Sequence, residues 1–198
     1  WRYTTKEATQ MSTTRKLTKA NIDWGNLGFD YRPTDYRFVA TYEAGVWSQG
    51  ELVTNTDIQI HEGSTALHYG QQCFEGMKAQ TAQDGRVLLF RPALNAERLQ
   101  KSSSRLSMAE VPQELFIRGI QQAVRANYRY IPPYGSGAAL YIRPLLLGLG
   151  ENLGLRPASK YEFRVFVCPV GPYYKGTGLS LIKLAVTDYD RAAPSGTG

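Results

Sequence analysis

The stretch GMKAQTAQDGRVLLFRPALNAERL, residues 76 to 99, decides the fold class. Asp84-Gly85 lies between two extended runs, which predicts a β-hairpin. Pro92 then suits the first position of a helix, and ALNAERLQKSSSRL continues through residue 106 without an internal Gly or Pro. A hairpin followed directly by a helix is not the start of a regular βαβ repeat. Downstream, Pro112 opens a second predicted helix, in which Phe116, Ile120, Val124 and Tyr128 recur every four residues as one apolar stripe, and Pro132-Pro133 ends it. AALYIRPLLLGLG (138 to 150), EFRVFVCPV (162 to 170) and LSLIKLAVTDYD (179 to 190) read as buried strands. Upstream, DYRFVATYEAGVWSQGELV (35 to 53) reads as β-structure turning at 43 to 45, and IQI (58 to 60) as a further short strand. Hairpins, two helices and more strands give an α+β fold. Residues 1–20 form a basic tail, 21–170 a small α+β domain, 171–178 an interdomain loop, and 179–198 the beginning of a larger domain.

Bulk properties exclude several classes of function. At 198 residues with 42% apolar and 20% charged side chains the chain reads as a soluble globular protein, and no apolar run approaches the ~18 residues of a membrane span. The formal charge of +6 owes much to Arg2, Lys6, Arg15, Lys16 and Lys19, set against Glu7 alone in the same tail, so it predicts no nucleic-acid patch on the fold. Cys73 and Cys168 are far apart and form no disulfide framework or zinc motif, which suits a reducing compartment. His61 and His68 have no ligating cluster around them, so no metal site is expected. The expected location is the cytoplasm, with a mitochondrial transit peptide in the basic Ser/Thr-containing tail as the alternative.

Four stretches could carry chemistry. GLGENLG (148 to 154) misses the dinucleotide spacing by one residue and is followed by no convincing helix. Arg91, Arg98 and Arg105 are seven apart; the pattern is either a solvated basic face or an anion site. On the strand ALYIRPLLL, period two puts Tyr141, Arg143 and Leu145 on one face and Leu140, Ile142 and Leu146 on the other. An arginine in so apolar a strand needs a carboxylate, from the protein or from a ligand, and Pro144 marks an edge, a bulge or a site. HYGQQCFEGMKA (68 to 79) has no clean period and reads as a strained corner or a pocket wall.

Taken together, LHYGQQCFEGMKA (67 to 79), LFRPALNAERL (89 to 99), LYIRPLLLG (140 to 148), CPVGPYYKGTG (168 to 178) and DRAAPSGTG (190 to 198) resemble the branched-chain amino acid aminotransferases, fold-type IV enzymes that use pyridoxal 5′-phosphate. The resemblance runs in order from about Ile22 to Gly198. It implies the small N-terminal domain of such an enzyme, with only the start of the large one. It further implies that Arg98 meets the cofactor phosphate. Tyr69 and Phe74 become aromatic walls of the substrate pocket, and Tyr141 and Arg143 substrate-side residues, the arginine serving the distal carboxylate of glutamate. Tyr173 lies on the loop covering the site, and Leu153 and Leu155 reach toward a neighbouring subunit's pocket. The lysine that holds the cofactor as a Schiff base is expected just beyond Gly198, and Lys78 and Lys175 are not it. The chain alone is therefore expected to contain no catalytic residue and to be inactive. The implied reaction transfers the amino group of leucine, isoleucine or valine to 2-oxoglutarate in a homodimer. The alternatives are another fold-type IV enzyme, a D-amino acid aminotransferase or an aminodeoxychorismate lyase, and a non-catalytic fragment active only in dimerisation.

Overall fold

A computed structural model of the chain describes residues 18–173 and 181–188. Most of the basic tail, Lys175 and the Gly-rich run ending at Gly198 lie outside the described residues.

One antiparallel sheet organises the domain. Strand β1 (Arg37–Glu43) turns back through Ala44 and Gly45, both at positive φ, into β2 (Val46–Trp47), and β3 (Glu51–Val53) pairs the other half of β1. Positive φ at both turn positions matches the twist of a tight hairpin. After a single helical turn, α1 (Thr65–His68), come β4 (Gln72–Phe74), β5 (Met77–Thr81) and β6 (Val87–Leu89). The predicted hairpin is present with a wider loop: Ala82 and Arg86 are hydrogen-bonded across it, and Gly85 at φ +81° makes the turn. Two helices, α2 (Pro92–Arg105) and α3 (Gln113–Ala126), precede the long strands β7 (Ala139–Leu149) and β8 (Lys160–Val170). The sheet runs β2-β1-β8-β7-β5-β6, with β3 beside β1 and β4 beside β7.

Pro92 starts α2 as expected, and Phe116, Ile120 and Val124 are buried along α3. Tyr128 falls just past that helix, in a short 3-10 turn at Tyr128–Tyr130. Both helices cover one face of the sheet. Phe116 stacks on Phe163 of β8 at 5.8 Å, and Phe163 meets Phe38 of β1 edge-on. Alternate residues of β7 (Leu140, Ile142, Leu146) and β8 (Phe163, Val165, Val167) are sealed into this layer. Full burial of each such side chain contributes about 1.5–3 kcal/mol, which makes this face the source of the domain's stability.

Two expectations fail, and one of the alternatives for Pro144 is excluded. Residues 58–60 form no strand. Residues 181–188 are not a buried strand: Leu181, Leu184 and Val186 are exposed and unpaired among the described residues. An apolar β-branched run becomes a strand only where a partner offers a ladder. Pro144 lies at no edge, since β7 is central, paired to β8 throughout. On its other side β5 ends opposite Ile142 and β4 begins opposite Leu145. The proline thus occupies the interruption between two partner strands, where no ladder donor is required.

Candidate functional site

The face of the sheet turned away from α2 and α3 carries the other alternate residues: Tyr141, Arg143 and Leu145 from β7, Phe166 and Cys168 from β8, Arg37 from β1. The strand reading thus had the facing correct. Arg143 lies with its guanidinium carbon 4.3 Å from the centre of the Phe74 ring and 5.2 Å from that of Tyr141. Its Nε and Nη2 donate to Tyr141 Oη at 3.3 and 3.1 Å. Among the described residues no carboxylate forms an ion pair with it. Aromatic faces hold the cation by its quadrupole attraction while leaving its charge uncancelled. Of the two readings open for this arginine, a protein acid or a ligand acid, the described residues supply no protein acid.

Gly76 makes this arrangement fit. It stands opposite Arg143 in the break between β4 and β5, and a Cβ placed there would run into the Tyr141 hydroxyl. Its neighbour Glu75 points to the helix side, where its buried carboxylate receives Arg98 Nε at 2.6 Å, Arg98 Nη2 at 2.7 Å and Asn95 Nδ2 at 2.8 Å. The hydrogen bonds from Arg98, and then the carboxylate's charge, raise the guanidinium's already high pKa. Arg98 is therefore a permanent cation. Its side chain stays 66% exposed, and Nη1 takes no part in the grip on Glu75. That edge has the donor chemistry an anionic oxygen requires. Arg91, at φ 45° before α2, and Arg105 form no ion pair among the described residues.

The remaining predicted residues divide between two places. Tyr173 belongs with the Arg143 group through Phe29, whose ring meets Tyr173 at 5.5 Å and Tyr141 at 5.4 Å. Tyr69 instead donates its hydroxyl to the Leu153 carbonyl at 2.9 Å. It joins Leu153 and Leu155, which stand 94% and 87% exposed on a loop braced by Asn152 Nδ2 to the Gly154 and Arg156 carbonyls. Sequence reading missed Phe29 entirely. The segment carrying it runs beside the end of β8, with Gly171 N donating to Gly28 O, Arg32 N to Cys168 Sγ and Thr34 Oγ1 to Val167 O. Nothing periodic marks such a segment; the one local signal is an aromatic beside Gly28 in NLGFDY. Arg37 was missed as well: buried on the same face, it donates to Thr34 O and Tyr31 Oη.

The fold is that of part of a fold-type IV aminotransferase domain. A solved branched-chain amino acid aminotransferase of Escherichia coli superposes with a TM-score of 0.60 at 24% identity, over 83% of this chain and 50% of that one. By sequence the chain is similar to branched-chain-amino-acid aminotransferases over about half of their length. It is 56% identical over 178 residues to the enzyme of Haemophilus influenzae and 45% identical over 194 residues to the chloroplastic enzyme 5 of Arabidopsis thaliana. These alignments cover 90% and 97% of this chain and 52% and 46% of the relatives. The chain thus spans about half the length of the curated relatives it matches. No protein-family profile matches it.

Proposed function

We propose that this domain serves a pyridoxal 5′-phosphate-dependent transamination of branched-chain L-amino acids with 2-oxoglutarate, yielding branched 2-oxo acids and glutamate. The observation carrying the proposal is Arg143: a cation flanked by two aromatic rings and paired with no carboxylate among the described residues. Phe74, Tyr141 and Phe29 present the surface that an aliphatic side chain needs, and Arg143 supplies the one charge that glutamate's distal carboxylate needs. One pocket can then take both partners in turn. Arg98 would hold the cofactor by its phosphate, with Glu75 and Asn95 behind it. The cofactor, when bound, supplies the electron sink that lets the substrate's Cα proton leave. Partial burial beside these rings strengthens Arg143's attraction for a carboxylate relative to open solvent.

Tyr69, Leu153 and Leu155 form a separate exposed apolar group, and a twin subunit in a homodimer is the partner we assign to them. The similarity to a bacterial enzyme favours the cytoplasm over an organelle.

The test uses the protein at the full length of its relatives. Amino transfer to 2-oxoglutarate is measured from L-leucine and from D-alanine. Transfer from L-leucine and none from D-alanine is expected. Transfer from D-alanine alone would assign the domain to a different fold-type IV reaction.

A further inference from the structure

The Arg98 guanidinium sits on an exposed helix face, yet it is gripped from behind by a carboxylate that is only 2% exposed. Such a pair is unusual for a surface arginine, because a buried carboxylate is costly unless every acceptor site is filled. Here Oε1 takes Arg98 Nε, and Oε2 takes both Arg98 Nη2 and Asn95 Nδ2. The Glu75 backbone is itself fixed, its N–H donating to Pro144 O of the central strand at 2.8 Å. Two parallel bonds define the plane of the guanidinium, so the position of Nη1 is set by β7 through Glu75. A free arginine on a helix would instead sample many rotamers and lose that freedom on binding.

We propose that Glu75 is a positioning residue for phosphate recognition: it aligns Arg98 so that the unengaged edge of the guanidinium meets the cofactor phosphate. This rests on the reading of Arg98 as the phosphate contact. A carboxylate beside the cation has two opposed effects on a phosphate. It fixes the donor, and it partly cancels the positive charge. The geometry favours fixing, because the carboxylate stands behind the guanidinium and a phosphate on the outer edge meets the cation first. The two effects predict opposite signs when the charge is removed.

The experiment measures, with the protein at the full length of its relatives, the dissociation constants of pyridoxal 5′-phosphate and of unphosphorylated pyridoxal. Their ratio is the selectivity for the phosphate, and it cancels whatever bond the aldehyde makes. Glu75→Gln is expected to lower this selectivity about tenfold while leaving pyridoxal binding unchanged. Arg98→Ala is expected to lower it at least as far, and Glu75→Gln added to Arg98→Ala to change nothing further. A rise in selectivity with Glu75→Gln would mean that the carboxylate masks the arginine, and an equal loss for both ligands would mean a purely structural role; either overturns the proposal. If Arg98→Ala leaves the selectivity intact, the phosphate reading of Arg98 itself fails. If Arg98→Ala lowers it and Glu75→Gln does not, only the positioning role fails. Should Glu75→Gln not fold, Arg98→Lys decides, because it keeps the cation and removes the bidentate grip. About a tenfold loss supports alignment, and full retention overturns it.

Discussion

The two faces of the central sheet are built from the same strands by alternation, and they do opposite things. On the helix-covered face Phe38, Leu140, Ile142, Leu146 and Phe163 are completely buried among one another. One residue along from Phe38, Leu140 and Ile142 stand Arg37, Tyr141 and Arg143 on the other face, where the Phe74 and Tyr141 rings flank Arg143 and no carboxylate pairs with it among the described residues. A closed apolar layer can be optimised for stability because it has nothing else to bind. The opposite face keeps Arg143 without a carboxylate among the described residues, at a cost in stability that the proposed substrate carboxylate would offset. Stability and recognition are thereby separated by one residue of register.

The largest expected effect tests that separation. Phe163→Ala removes a ring that stacks on Phe116 and meets Phe38, and should destabilise the domain by about 3–5 kcal/mol. Phe166→Ala, on the other face and only partly buried, should cost roughly 1–2 kcal/mol. Urea unfolding of both variants gives the comparison. Equal losses would show that both faces are load-sharing cores.

Arg143→Leu should reverse the pattern. Stability should change little, since no ion pair among the described residues is broken. The glutamate half-reaction in the full-length protein should slow by about ten- to a hundredfold, roughly 1.5–3 kcal/mol, as the distal carboxylate loses its charged partner. Leucine keeps its apolar walls and should be affected far less. Equal losses for both substrates, read from single-turnover kinetics, would make Arg143 structural.

Gly76→Ala should act on the open face alone and more weakly. The added methyl meets the Tyr141 hydroxyl and lies 3.2 Å from its Cζ, so the ring must move and Arg143 with it. A loss of about 1 kcal/mol in the glutamate half-reaction is expected, with a smaller loss for leucine. Because Arg143→Leu already removes the affected group, Gly76→Ala should add little in that background.

How much of this was legible depends on what kind of order each part has. The alternation on β7 and the stripe on α3 are periodic, and the sequence alone orients Tyr141 and Arg143 correctly. Pro92 and Asp84-Gly85 are local signals, and they mark a real helix start and a real hairpin. The Glu75–Arg98 pair could not be read that way, because 23 residues separate its members and only the packing of α2 against the break between β4 and β5 joins them. Phe29 arrives on an irregular segment whose hydrogen bonds go to β8, more than 130 residues away. Of the three alternatives open for Pro144, the edge was excluded only by the pairing, because the rule that keeps proline out of central strands assumes an unbroken neighbour.

The smallest effect concerns Cys73 of β4, which pairs with Leu146 of β7 and packs against the helix-covered core. Burial first, and the nearby Glu75 carboxylate second, push its thiol from 9.0 up to about 11. The folded chain therefore holds this proton more tightly than the unfolded chain does. Below pH 9 both states are protonated, and the contribution is constant. Between about pH 9 and 11 the unfolded thiol ionises while the folded one does not, so stability falls as pH rises. Cys73→Ala lacks that proton and should lose less stability across the same window, after its own cavity cost is subtracted at pH 8. Glu75→Gln should narrow the window only slightly, because burial is the larger cause. The check is urea unfolding of the wild type and both variants at half-unit steps from pH 8 to 11. If the difference between wild type and Cys73→Ala stayed flat across the series, Cys73 would titrate alike in both states, and the covered face would be wetter at β4 than along β7 and β8.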